Sequence, residues 1–453
     1  MNRPGNSLIL TISRRRIREW GLKDGAKVPV SCGRLQGDAV VQELDTDEEK
    51  SSLQWRHGRL DWERGGLAGR FFKTPDGQFR IGPLIGIMTI GVREDSRHPV
   101  GGRTSLLGDF VRAAREANVL CFLFNASDID WQQGMVRGVT LVGKRGEERW
   151  KSYRFPLPDV VYNRVPHRTA EVRSDVLLCK KHCAELEIPL FNERFVNKRE
   201  MYGWLLKDEN TRDLIPATER LRSSEALARF CRSHSLVFLK PTGGSLGSGI
   251  IKVRRGPDSY EVRYRRQKEH VSTEFNRSAA LYHFVKTLGT GRTYLMQQGI
   301  RLMKYEGNPT DFRVHMHKNG YGEWVAAGIG AKVAGRGAVT THVHNGGRVV
   351  SGDVVLNHWY GTEAPQMRAR MIDAAVRVCE SLEGLLNGPV GEWGLDVAID
   401  EDGRVYVFEA NAKPGRAIFR HPSLRSAGRV SANLVVEYAA SLAGYPLWRG
   451  ESG

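Results

Sequence analysis

Apolar and polar positions change rhythm several times along the chain, and each change predicts a different kind of element. Residues 8–12 are β-rich, residues 14–20 are basic with helical spacing, and Gly21 to Gly25 turn the chain into residues 27–32. Together they predict a small β-rich N-terminal domain. Polar residues 43–64 follow, and the turn signals Gly65-Gly66 and Pro75-Asp76-Gly77 put its boundary near residue 80. Residues 81–90 form a continuous apolar run, residues 105–118 space Leu106, Phe110, Ala113 and Ala114 as a helix does, and residues 119–124 are apolar again. Residues 158–163 repeat the buried-strand signature, and a helix across 172–186 leads to residues 188–191. This succession predicts an α/β domain over 81–192. From residue 193 to 447, helices mix with hairpins, as in an α+β domain with a cleft; a glycine-loop subdomain falls at 217–300.

A chain of 453 residues accommodates two or three domains. Hydrophobic content of 40% and charged content of 26% exclude the fibrous and disordered classes. The 68 Lys+Arg against 51 Asp+Glu give a net charge of +17, which favours nucleotides, nucleic acid or acidic polypeptides without choosing among them. No apolar run suits a membrane span or a signal segment, so a cytoplasmic location is expected. Six scattered cysteines predict reduced thiols. Cys179, His182 and Cys183 share a helical turn, but no second ligand pair follows at zinc-like spacing, and a half-buried helix accounts for them.

The chemistry concentrates in residues 392–415. Two apolar runs flank Asp402-Gly403, a dipeptide suited to a tight hairpin turn. A turn centred there sets Asp396 opposite Glu409 and Gly394 opposite Asn411. Like charges directly opposed on paired strands destabilise a sheet, and a cation removes that penalty. Oxygen ligands without Cys or His suit Mg²⁺ shared with substrate phosphates. An exposed acidic hairpin facing water is the alternative.

Residues 236–253 read as strand, glycine-rich loop and strand, without the Gly-Lys-Ser/Thr ending or following helix of a Walker loop. Successive N–H groups of Gly243, Gly244, Ser245 and Gly247 suit phosphate oxygens, with Lys240 as a point charge beside them; an ordinary flexible hairpin is the competing reading. Lys198 opens a helical stretch, and Tyr294 to Ile300 form a strand whose backbone around Gln297 and Gln298 could meet an adenine edge. Alternation puts Asp311, Arg313, His315 and His317 on one strand face, where the histidines are expected to face solvent, as are His342 and His344. Lys332, Arg336 and Asn345 fall in a glycine-rich segment suited to closing over a substrate. Lys413 and Arg416 are candidates for gripping a carboxylate. The basic run 254–268, with Tyr260 and Tyr264 interleaved, fits either nucleic-acid contact or a solvated hairpin.

Four stretches together resemble the ATP-grasp superfamily and, over nearly the whole chain, its YheC/YheD group of endospore coat-associated proteins: Phe195-Val-Asn-Lys198, Phe238-Leu-Lys-Pro-Thr-Gly-Gly-Ser-Leu-Gly-Ser-Gly249, Asp311-Phe-Arg313 and Phe408-Glu-Ala-Asn-Ala-Lys-Pro-Gly415. The resemblance implies an α/β pre-ATP-grasp domain ahead of a C-terminal ATP-grasp domain. It also implies an ATP-dependent carboxylate-amine ligase working through an acyl phosphate. Lys198 and Lys240 would contact ATP phosphates, Gln297, Gln298 and Ile300 would line the adenine hinge, and Asp396, Glu409 and Asn411 would bind two Mg²⁺, with Mn²⁺ as a substitute. Arg313 would neutralise the phosphate in transfer, with Lys332 and Arg416 as further catalytic candidates. The expected partners are a carboxylate and an amine substrate, one of them a peptide or acidic protein; nucleic acid is not expected. Dipeptide ligases of this superfamily usually carry Arg where Gly394 stands, so their substrate is not carried over. The alternatives are a nucleotide-binding scaffold of the spore surface without turnover and a basic polyanion-binding protein.

Overall fold

Gly82-Pro83 divides the apolar run at residues 81–90, because proline has no N–H for a strand ladder. Phe79–Gly82 ends one sheet and Leu84–Thr89 begins the next. The computed structural model describes residues 8–46, 50–55, 58–62, 67, 69–74, 77–242, 249–266, 269–289, 292–335 and 346–445. Among these residues the strands form four sheets. The first is N-terminal and carries the basic helix Arg14–Trp20. The second has a parallel centre in which Leu84–Thr89 lies between Leu120–Asn125 and Val160–Asn163. It also includes the antiparallel hairpin Met135–Val142 with Arg149–Pro156. A single hydrophobic cluster joins the first sheet to one face of the second. The other face packs under the helices Thr104–Glu116 and Arg425–Leu442.

The third sheet orders its strands Thr218–Arg220, Tyr294–Gln298, Leu236–Pro241, Ile251–Arg255, Tyr260–Arg266 and Glu269–Phe275. Val237, Leu239, Ile251, Val253 and Val262 share a core with the helices Ser224–Ser233 and Ser278–Leu288, which fixes that face inward. In the fourth sheet, Asn308–Lys318 lies between Trp324–Val333 and Glu392–Ile399, and Val405–Asn411 follows. Phe312, Val314, Ala331, Leu395, Val397 and Val407 pack against the helix Ala364–Glu383. Side chains alternate along strands, so the intervening polar residues take the opposite face. No described helix is long and apolar enough to cross a membrane.

Candidate functional site

Asp396 pairs with Glu409 and Gly394 with Asn411, the register expected from the sequence, but the turn is built differently. Ile399 pairs with Val405, and Asp400 closes a wider loop by accepting the Asp402 and Arg404 N–H groups at 3.0 and 2.8 Å. That turn alone would leave Glu409 one residue out of register. A bulge at Phe408, between the pairs Val397–Val407 and Asp396–Glu409, restores it. The helix Lys198–Leu205 packs on the bulge: Tyr202 Oη donates to the Phe408 carbonyl, and the Ala410 N–H points at Met201 Sδ, 3.1 Å away. Asn197 caps this helix by accepting the Glu200 N–H at 2.9 Å, and Glu200 answers the Asn197 N–H at 3.1 Å.

The cap fixes where Lys198 begins, and its Nζ lies 3.0 Å from Glu409 Oε1. Arg313 Nε donates to Asp396 Oδ1 at 2.6 Å, and Lys332 Nζ lies 3.1 Å from Asp396 Oδ2 and 3.3 Å from Asp311 Oδ1. Burial opposes the charge on Lys332, but Asp311 and then Asp396 outweigh it and hold the amine above the usual lysine value. Burial likewise opposes the charge on Arg313, and Asp396 most strongly restores it. The like-charge conflict of Asp396 and Glu409 is therefore met by side-chain cations, and it does not by itself require a metal. Lys332 sits inside a strand at 5% exposure, not in a closing loop.

From the facing sheet, Lys240 donates to Gln297 Oε1, and its Nζ stands 5.4 Å from the Phe408 ring centroid. Burial first, then Lys198, push its amine down to about 8, against the pull of Glu409, Asp396 and Asp311. Gln297 Nε2 in turn donates to Thr218 Oγ1 at 3.0 Å. The Gln298 and Gly299 N–H groups donate to the Ala217 and Leu236 carbonyls, both at 2.8 Å. The Ile300 N–H makes no hydrogen bond among the described residues. Gly243, Gly244, Ser245 and Gly247 lie outside the described residues, as do Arg336, His342, His344 and Asn345.

The other end of the same sheet face is sealed. His315 and His317 are both 0% exposed, contrary to the expectation of solvent-facing histidines, because Phe419, Arg416 and the helix Arg425–Leu442 cover them. His317 Nε2 meets Ser431 Oγ at 2.8 Å, whereas both His315 ring nitrogens are buried without a hydrogen-bond partner. Burial drives the His315 pKa far down and that of His317 down to about 3.

Arg416 is held by Ser431 Oγ and by the Gly428 carbonyl at 2.6 Å, away from the Asp396 cluster. Lys413 is bound to Glu171. Glu392, whose importance the sequence did not signal, accepts from Tyr162 Oη at 2.6 Å and Arg164 Nη1 at 2.5 Å, tying the α/β unit to the sheet. Gly394 has a steric cause: a Cβ there would lie 2.4 Å from Pro414 Cβ, so an arginine cannot occupy the position in this backbone.

No group of three or more His, Cys, Asp or Glu side chains disposed to hold a metal occurs among the described residues. Asp396, Glu409 and Asn411 supply two carboxylates and an amide. This all-oxygen set fits a hard cation whose coordination is completed by phosphate oxygens.

The family model of YheC/D-like ATP-grasp proteins matches residues 187–442. Two proteins of Bacillus subtilis (strain 168) are similar in sequence. Endospore coat-associated protein YheD is 33% identical over 374 residues, 81% of this chain and 80% of that protein. Endospore coat-associated protein YheC is 25% identical over 205 residues, 45% of this chain and 55% of that protein. Among solved structures, the D-alanine-D-alanine ligase from Coxiella burnetii is similar over 80% of this chain and 95% of its own, at 14% identity and a TM-score of 0.44.

Proposed function

The chain belongs to the YheC/D-like ATP-grasp family, and from that premise we propose that it is an ATP-dependent carboxylate-amine ligase acting through an acyl phosphate. The observation that carries this reading is the convergence on Asp396 of Arg313 and Lys332, beside the Lys198–Glu409 pair and opposite Lys240. Phosphoryl transfer asks mainly for positioning and charge stabilisation, and these groups supply both. Lys198 and Lys240 bind the nucleotide phosphates, and the Ile300 amide beside Gln297 and Gln298 receives the adenine edge. Asp396, Glu409 and Asn411 hold Mg²⁺, two ions being expected, which supplies neutralisation of the phosphate charge when bound. Arg313 commits Nε to Asp396, and its Nη groups make no hydrogen bond among the described residues, so they donate as a pair to the phosphoryl in transfer. A substrate carboxylate oxygen attacks the γ-phosphorus, the bond to ADP breaks, and an amine then attacks the acyl carbon and expels phosphate. Lys332 holds Asp396 in place throughout. We place this work at the endospore coat, following the names of the two Bacillus relatives.

The test is hydroxylamine trapping of the acyl phosphate, with ADP release followed over a panel of amino acids and acidic peptides. Hydroxamate is expected from the wild type, and Glu409→Gln lowers its formation by roughly 100-fold to 1000-fold. If wild-type ADP release never exceeds that of the variant with any acceptor, the chain is a nucleotide-binding scaffold instead.

A further inference from the structure

The third sheet turns two opposed cations, Lys252 and Arg263, to the face that carries Lys240. Lys240 and Phe238 share a strand face, and Lys240 reaches the Phe408 ring of the opposite sheet. Register pairs Phe238 with Lys252, Lys252 with Arg263, and Arg263 with Ser272, so all four lie on that face in one row. Leu236, Arg254, Glu261 and Glu274 form the adjacent row, so two carboxylates border the cations on the side of the last two strands. Two cations directly opposed on neighbouring strands, with Cβ atoms about 5 Å apart, repel each other. Lys252 and Arg254 have no ion-pair partner among the described residues, and Arg263 has only Glu261 of its own strand, at 2.6 Å. Burial first, then Arg254 and Arg263, push the Lys252 amine below its usual value. The row cannot turn away, because Val253, Val262 and Tyr264 anchor the opposite face in the helical core.

We propose that Lys252, Arg254 and Arg263 bind an acidic peptide that carries the substrate carboxylate into the cleft beside the nucleotide. This rests on the ligase reading and adds the class of its substrate. A peptide is favoured over nucleic acid by the fate of the tyrosines. Single-stranded nucleic acid needs exposed rings on which bases stack. Tyr264 is instead 7% exposed and packs edge-on against Phe284, and Tyr260 packs into the same core, which leaves only the half-buried Phe238 in the row and no series of rings for successive bases.

The experiment uses the full chain, fluorescence anisotropy of a short labelled oligoglutamate at low salt, and calorimetry of ADP binding on the same samples. The double variant Lys252→Gln/Arg263→Gln is expected to weaken oligoglutamate binding by roughly tenfold and to keep its ADP affinity. Arg137→Gln, an exposed cation on the second sheet, is expected to leave both unchanged. Equal oligoglutamate affinity in wild type and double variant overturns the proposal, as does absence of binding to the wild type. Tighter binding of oligothymidylate, lost to the same degree in the double variant, overturns the peptide assignment in favour of nucleic acid. Failure of the wild type to bind ADP overturns the ligase reading and the substrate assignment with it, and calorimetry reports that outcome separately from anisotropy.

Discussion

Asn308–Lys318 sends Asp311, Arg313, His315 and His317 to one face of one sheet, yet the two halves of that face have opposite fates. At the Asp311 end, carboxylates and cations from four strands and a helix interleave across a cleft from Lys240. At the His317 end, Glu392 is 0% exposed, and its carboxylate docks the α/β unit onto the sheet through Tyr162 and Arg164. Buried ionisable groups therefore do not by themselves mark a site. What separates the halves is the cover that Arg425–Leu442 supplies at the His317 end, whereas the proposed function has charges at the other end trade side-chain partners for ligands.

The largest effect that tests this contrast is on stability. Arg164→Leu leaves Glu392 buried without its cation and should destabilise the fold by about 3–5 kcal/mol in denaturant unfolding. Glu409→Gln at the open end should change it by about 1 kcal/mol or less. Equal losses would erase the distinction between the two ends.

An intermediate effect concerns exchangeability. The proposed role of Lys240 in holding phosphate requires its charged form, and burial pushes that amine down to about 8. ADP affinity should hold constant up to that pH and then fall by about tenfold per unit, as read by calorimetry. A flat profile up to pH ~9.5 would remove Lys240 from the nucleotide site.

The smallest effect belongs to the sealed end. His315 is neutral with both nitrogens unsatisfied, so His315→Leu should stabilise the fold by about 1 kcal/mol. The folded pKa lies below 6.5, so as pH falls through that value the unfolded chain takes up a proton first and the wild type loses stability. The variant should escape about 1.4 kcal/mol of that loss per unit below pH 6.5, and thermal melts from pH 7 to 5 would show parallel curves if His315 were solvated.

Much of this arrangement is written in short-range pattern. Arg14–Trp20 and Lys27–Cys32 appear where periodicity puts them, and Asp396 faces Glu409 as expected, although a bulge and not the two-residue turn sets that pairing. The bulge also had a signal: apolar positions step from 405 and 407 to 410 and 412, a one-residue slip in alternation. The sealing of His315 and His317 was not legible, because its cover comes from residues about a hundred positions away, and strand alternation gives a face without saying what lies over it. The same holds for Arg416, whose partners sit on a helix that the local pattern around residue 416 does not reveal. Lys332 was misplaced because nearby glycines suggested a loop, whereas Gly328 and Gly330 are strand residues that give Phe419 and Ile418 room to pack.

The bulge at Phe408 separates the timing of the carboxylates from the turn that joins their strands. Glu409 keeps its phase because Tyr202 and Met201 clasp the chain at the slip, not because Asp400 to Arg404 have a particular length. A one-residue insertion in that loop is expected to leave Glu409 opposite Asp396. Tyr202→Phe removes the hydroxyl that holds the Phe408 carbonyl, and so is expected to loosen the bulge that sets Glu409 opposite Asp396.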